Sequence, residues 1–128
     1  MDGPRNALVV DDTPVNVKLL TALLKANGFA VTIATTGEAA LDVVNTAAFE
    51  LVLLDLRLPG IDGLTVARAL RADPHHRHLV VVAVSASAMK HDVAAALEAG
   101  CDAFVSKPIN TRTLIPMLVS LLARRRAS

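Results

Sequence analysis

The chain has no tryptophan and no tyrosine, and only three phenylalanines among 128 residues. Aromatic platforms for stacking nucleobases are therefore scarce. It has no charge excess either: 13 Lys and Arg against 12 Asp and Glu leave a net charge of +1. Broad electrostatic binding of nucleic acid needs a basic surface, so no nucleic-acid partner is expected. A single cysteine, Cys101, excludes an intramolecular disulfide and fits a reducing compartment. Its neighbourhood, Gly100-Cys101-Asp102, offers no base to activate a thiol. No window approaches the roughly 20 apolar residues of a membrane span. Met1-Asp2-Gly3-Pro4-Arg5-Asn6 carries an acid and no apolar region after it, unlike a signal peptide. A soluble cytoplasmic protein without membrane contact is expected.

What is present is aliphatic. Apolar residues make up 53% of the chain, so the core must be built from Val, Leu, Ile and Ala. The length suits one domain over residues 1–128, with a core over about 6–124. Short apolar runs bounded by turn residues mark buried strands. These are Ala7 to Val10, Phe29 to Ala34, Leu51 to Leu54, Leu79 to Val84 and Ala103 to Ser106. Helical patterns lie between them. The first runs from Pro14 to Ala26, with Thr13 as N-cap, Gly28 as C-terminal stop and a buried face of Val15, Leu19, Ala22, Leu23 and Ala26. Thr36 opens the second, and Asp62-Gly63 the third, which Asp73-Pro74 closes. The fourth covers about Lys90 to Ala99, before Gly100, and a fifth ends in Arg124-Arg125-Arg126. Pro116 would cost about 3 kcal/mol inside that last helix, so regular helix should begin near Thr113 or kink there.

Five alternations of strand and helix predict an α/β fold, with a parallel sheet covered on both faces. In such sheets ligands bind outside the carboxyl ends of the strands. The residues at those ends are Asp11, Asp12, Asp55, Ser85 and Lys107. Taken singly, each has a bland reading, since Asp caps helices and starts turns. Together they describe a site. Two carboxylates about 4 Å apart repel by on the order of 4 kcal/mol at an effective dielectric of about 20. Either some of them protonate or a cation sits among them, and an all-oxygen donor set suits Mg²⁺. A carboxylate beside Mg²⁺ and a lysine can accept a phosphoryl group, with Ser85 donating a hydrogen bond to it.

This set of residues, in this strand context, resembles the receiver domain of two-component response regulators over nearly the whole chain. Asp11-Asp12 look like its acidic pair, Asp55 like its phosphoacceptor, Ser85 like its hydroxyl and Lys107-Pro108 like its lysine and following proline. Phe104 stands at the switch-aromatic position. The stretches Val82 to Lys90 and Gly100 to Ile109 are similar to stand-alone regulators of the alphaproteobacterial cell-division type, and to receivers of hybrid kinases. The resemblance implies a flavodoxin-like (βα)5 three-layer sandwich with strand order 2-1-3-4-5. It implies Mg²⁺ on Asp12, Asp55 and the backbone carbonyl of Arg57, with Asp11 acting through water. It implies a histidine kinase or phosphotransfer protein as phosphoryl donor and a downstream protein as target. Ser85 and Phe104 would move on phosphorylation and change the surface of the fourth helix, fifth strand and fifth helix. The Lys107–Pro108 bond is expected to be cis. Phe104 lacks a hydroxyl, and Arg57 and Ser87 occupy two positions that tune hydrolysis in the family.

An aspartyl-phosphate phosphohydrolase has a second Asp two residues after its nucleophile, where this chain has Arg57. A flavin electron carrier would need a phosphate loop where Asp11-Asp12 stand. A receiver that has lost phosphorylation would not keep the full residue set. A receiver fragment of a hybrid histidine kinase remains an alternative to a stand-alone regulator. No output domain fits beside the core, so output is expected through protein contact. The last helix is apolar over roughly 200°, twice the stripe a core needs, which suggests a homodimer or partner face at Ile115, Val119 and Leu122. His75-His76-Arg77-His78 fits no tetrahedral metal spacing.

Overall fold

A computed structural model describes residues 5–127. Its elements alternate along the chain. They are β1 (Arg5–Val10), α1 (Pro14–Ala26), β2 (Phe29–Ala34), α2 (Gly37–Val43), β3 (Leu51–Asp55) and α3 (Gly63–Ala72), then β4 (Val80–Ser85), α4 (Lys90–Glu98), β5 (Ala103–Ser106) and α5 (Leu114–Ala127). A short 3₁₀ turn, Pro74–His76, follows α3. The strands form one parallel sheet in the order β2-β1-β3-β4-β5. The central strands β3 and β4 are buried along their whole length, which is why they read as unbroken apolar runs.

Side chains alternate across the sheet and separate the core into two layers. Ala7, Val9, Leu51, Leu53, Val80 and Val82 face α1 and α5, where Leu20, Leu24, Leu114, Leu118 and Leu122 meet them. Leu8, Val10, Val52, Leu54, Val81 and Ala83 face α2, α3 and α4, against Ala40, Val66, Ala67, Leu70 and Ala96. Fully burying each such Leu or Val contributes about 1.5–3 kcal/mol. Apart from Phe29 in the first layer and Phe49 in the second, the interlock that holds the three layers together is aliphatic.

Local signals place the helix ends. The Thr36 hydroxyl accepts the Ala39 N–H at 3.0 Å, and the Asp62 carboxylate accepts that of Thr65 at 2.9 Å. Thr13 caps α1 only by position, because its side chain makes no capping bond. Pro116 sits in the first turn of α5, after bonds from Leu114 N–H to Asn110 O and from Met117 N–H to Thr113 O. Its missing N–H falls among the amides that lack helical partners anyway, so it costs little there.

Two expected helix faces need correction. On α1 the core residues are Leu20 and Leu24, while Val15, Ala22 and Ala26 are exposed. Apolar residues surround that helix, so spacing alone did not single out the buried stripe. On α5, Leu122 is 4% exposed and belongs to the core, so it cannot form a partner surface. Val119, 46% exposed, and the half-buried Ile115 are what remains of that face. The histidines after α3 bond to different groups, Asp73 for His75, Asn45 for His76 and the Phe49 carbonyl for His78, with Asp73 also 3.7 Å from His76.

Candidate functional site

Four strands deliver the site residues to one rim. β1 ends at Val10, so Asp11 and Asp12 follow directly from its tip. β3 ends on Asp55 itself, and β4 on Ser85. Lys107 follows β5, anchored by its own N–H to the Ser85 carbonyl at 2.9 Å. The Lys107–Pro108 peptide bond is cis.

Asp11, Asp55 and Ser85 are 1%, 5% and 3% exposed, the buried polar and charged side chains among the described residues. Asp11, Asp12 and Asp55 bring carboxylate oxygens within 4.8 Å of one another. The Lys107 ammonium reaches Asp55 Oδ2 at 3.2 Å and Asp11 Oδ2 at 3.5 Å. Only the first of these is a hydrogen bond. Asp11 Oδ1 accepts the Thr13 N–H, and Asp55 Oδ1 accepts the Arg57 N–H, both at 2.9 Å. Asp11 Oδ2 is left buried without a hydrogen-bond partner.

Burial raises the Asp55 carboxyl above its ordinary value, and Asp11 adds to the rise. The Arg57 N–H and Lys107 work against it. One ammonium thus reaches two of three clustered carboxylates, and Asp11 Oδ2 has only that long ion pair and no hydrogen bond. Buried polar groups are almost always satisfied, so this deficit points to a cation. A hard divalent ion with oxygen ligands fits the donor set.

The acceptor strand is held from below by a glycine. A Cβ on Gly63 would lie 2.6 Å from the Asp55 carbonyl oxygen and 2.7 Å from Leu56 Cα. Only hydrogen allows the start of α3 to press against the tip of β3, and the Gly63 N–H donates to the Leu56 carbonyl there. Beside the rim opens a cavity of about 180 Å³, lined by Arg57, Ser85, Ser87 and Asp92 among others. Ser85 Oγ accepts the Ser87 N–H at 3.1 Å, and Ser87 Oγ donates to Asp92 Oδ2 at 2.5 Å. Phe104, half-buried, packs against the α2–α3–α4 layer.

The model of the response regulator receiver domain matches residues 7–119. The chain belongs to the response regulator receiver family. It is 36% identical over 119 residues to the polar-differentiation response regulator DivK of Brucella anthropi, covering 93% of this chain and 97% of that one. Among solved structures it is similar to a CheY-like receiver domain protein from Methanospirillum hungatei, with a TM-score of 0.90, 25% identity and 98% of each chain covered. It is also similar to the receiver domain of a sensor histidine kinase from Pseudomonas aeruginosa, with a TM-score of 0.86 and 30% identity over 95% of this chain and 99% of that one. That receiver holds a magnesium ion in its active site cleft. Receiver domains are signalling modules rather than conventional enzymes, and the flavodoxin-like order β2-β1-β3-β4-β5 is the one found here.

Two features escaped sequence reasoning. The bond from Ser87 to Asp92 depends on a loop geometry that spacing does not encode. At the opposite end of the sheet, Asp102 is gripped by Arg71 and Arg125, at 2.6 and 2.7 Å. Those partners are 31 and 23 residues away, too far for any local pattern to pair them.

Proposed function

We propose that the chain is a single receiver domain of a two-component phosphorelay, and that Asp55 is its phosphoacceptor. The observation that carries this is the Lys107 ammonium bridging Asp55 and Asp11, with Asp11 Oδ2 left without a hydrogen bond. A phosphohistidine, on a histidine kinase or phosphotransfer protein, is the donor. An Asp55 oxygen attacks phosphorus, a P–O bond forms and the P–N bond breaks. The electron pair leaves with the imidazole, which takes up a proton. Asp12, Asp55 and the Arg57 carbonyl would hold Mg²⁺, with Asp11 acting through water. When bound, that ion offsets charge on the transferring oxygens.

The residues of the chain itself do the rest. Lys107 pairs with the Asp55 oxygen before transfer and with a phosphoryl oxygen after it. Ser85 donates its hydroxyl to another. That bond draws in the end of β4, and Phe104 on the neighbouring β5 follows, which changes the surface of α4, β5 and α5 for a downstream protein. Asp55 has an arginine two residues on, with no carboxyl there to serve as the general acid of a phosphohydrolase.

Likeness to DivK over nearly its whole length supports a stand-alone cytoplasmic regulator. Likeness to the histidine kinase receiver supports the second reading, a receiver module of a hybrid kinase using the same chemistry. The test is intact-mass analysis after acetyl phosphate and Mg²⁺. Wild type should gain one phosphoryl group and Asp55→Asn none. Equal uptake by the two would show that the acceptor lies elsewhere.

A further inference from the structure

The first turn of α2 supplies no group to the rim, yet it bears on the loop that leaves Asp55. Residues 56–62 join β3 to α3, and both ends of that loop are bonded. The Leu56 N–H donates to the Val84 carbonyl at 3.1 Å, the Arg57 N–H to Asp55 Oδ1 at 2.9 Å and the Gly63 N–H to the Leu56 carbonyl at 3.2 Å. Among the described residues, no hydrogen bond reaches residues 58–61. Packing holds that stretch instead: Leu58 and Ile61, both half-buried, lie on the α2–α3–α4 layer. Ile61 rests on Gly37, which is buried at the start of α2. A Cβ on Gly37 would lie 2.5 Å from Ile61 Cγ1, 2.7 Å from the Ile61 carbonyl oxygen and 2.9 Å from Val66 Cγ2. Gly37 has no positive φ, so what it supplies is room rather than a backbone shape. The Thr36 cap fixes the turn, its hydroxyl accepting the Ala39 N–H at 3.0 Å. Glu38, next in the chain, lays its carboxylate over Gly60, where a Cβ would come within 2.6 Å of it.

We propose that Gly37 is a positioning residue for the cation at the acceptor rim, acting through Ile61 on the Arg57 carbonyl. This rests on Asp12, Asp55 and that carbonyl holding Mg²⁺. The Arg57 N–H is tied to Asp55, so the direction of its carbonyl is set by the stretch that follows. Packing, with Gly37 beneath Ile61, sets that stretch. Magnesium tolerates little error, because it demands near-ideal octahedral geometry at about 2.0–2.1 Å. A methyl group at Gly37 must push Ile61 away by about 1 Å to reach ordinary contact. The nearest atoms include a backbone oxygen, so the loop itself has to move, not a side-chain tip. Such a shift turns the Arg57 carbonyl off the ion. α2 thus governs the cation site without contributing a ligand or a charge to it.

The test titrates Mg²⁺ into wild type, Gly37→Ala, Ile61→Ala and Asp102→Ala by isothermal calorimetry, with circular dichroism confirming each fold. Gly37→Ala crowds the contact and Ile61→Ala empties it. Each should weaken Mg²⁺ binding about tenfold, the low end for groups that orient metal ligands from behind. Asp102→Ala is altered at the far end of the sheet and should bind Mg²⁺ as wild type does. Wild-type affinity in either loop variant, or an equal loss in Asp102→Ala, would overturn the proposal, because the contact would then be structural alone. Should Gly37→Ala not fold, Ile61→Ala decides. A second readout needs no metal. In Mg²⁺-free protein the Arg57 amide should exchange with water several-fold faster in the loop variants and at the wild-type rate in Asp102→Ala. Unaltered exchange in the loop variants would also overturn it. A wild type that takes up no Mg²⁺ would instead sink the metal reading of the rim, leaving the Arg57 amide to judge whether α2 sets the loop.

Discussion

The sheet carries an ionic cluster at each end, one buried and one half-buried, and the two are built on opposite terms. Before β5, Asp102 is saturated. Its Oδ1 accepts from Arg125 at 2.7 Å, and its Oδ2 from Arg71 at 2.6 Å and the Val81 N–H at 2.8 Å. Arg71 spends its remaining donors on the carbonyls of Gly100, Leu79 and Arg77. Gly100 has a φ of +104°, and a Cβ there would run into the Arg71 side chain, so both the turn and the staple require glycine. At the other rim, Asp55 and Asp11 share one ammonium at 3.2 and 3.5 Å, a third carboxylate, Asp12, stands beside them, and Asp11 Oδ2 has no hydrogen bond. A closed cluster ties α3, β4, β5 and α5 together. An open one keeps unspent charge for a ligand and costs stability while it waits.

The sharpest way to break the contrast is to remove the centre of the closed cluster. Asp102→Ala strands two guanidinium groups and the Val81 N–H together. Removing one partner of a buried pair costs 3–5 kcal/mol, and the fractional exposure of these side chains places the effect near the low end, about 3 kcal/mol. Urea unfolding should show the lower midpoint. An unchanged midpoint would mean that the staple is ornamental.

Cys101 reports on the same cluster without perturbing it. Burial pushes its thiol from 9.0 up to about 11, and nearby Arg71 only partly opposes the rise. At pH 8, two pKa units reduce the reactive thiolate about 100-fold. Iodoacetamide should therefore label native protein about 100-fold more slowly than unfolded protein, and Asp102→Ala should recover much of that rate. Rapid labelling of the native wild type would show that this end of the sheet opens readily.

A divalent cation should act on the other rim alone. At ten times its dissociation constant, an ion that binds only the folded state stabilises it by about 1.4 kcal/mol. Mg²⁺ should raise the thermal midpoint of wild type and of Asp102→Ala alike, and should leave Asp12→Asn unmoved. Equal stabilisation of Asp12→Asn would place the ion elsewhere.

How much of this is legible in the sequence depends on whether a feature is local in the chain. The strands were visible because β3 and β4 are buried on both faces and therefore unbroken in apolarity. The rim was visible because Asp11, Asp55, Ser85 and Lys107 each end or follow a strand, and a parallel sheet brings such ends together. Pro116 gave away the start of α5, since a proline has few places in a helix. The closed cluster was invisible, because Arg71, Asp102 and Arg125 are joined only by the fold. The buried face of α1 was misplaced because Val15, Leu19, Leu20, Leu23 and Leu24 surround the helix, and only the sheet decides which of them it covers.

The smallest effect tests the idea that the open rim is kept short of partners at a cost. Asp11→Asn removes one of the repelling carboxylates, and its amide could donate to the Asp55 carboxylate. It also weakens the hold on Lys107, whose nearer partner is Asp55 at 3.2 Å rather than Asp11 at 3.5 Å. Relief of repulsion should therefore prevail, and without Mg²⁺ the variant should be more stable than wild type by about 1 kcal/mol. The sign must reverse as Mg²⁺ is added, because wild type gains from the ion what Asp11→Asn cannot. Thermal melts across a Mg²⁺ titration would show the two curves crossing. If Asp11→Asn is the less stable protein at every Mg²⁺ concentration, the carboxylates are already compensated in the free protein. The two ends of the sheet would then be alike in kind, and differ only in the lengths of their ion pairs.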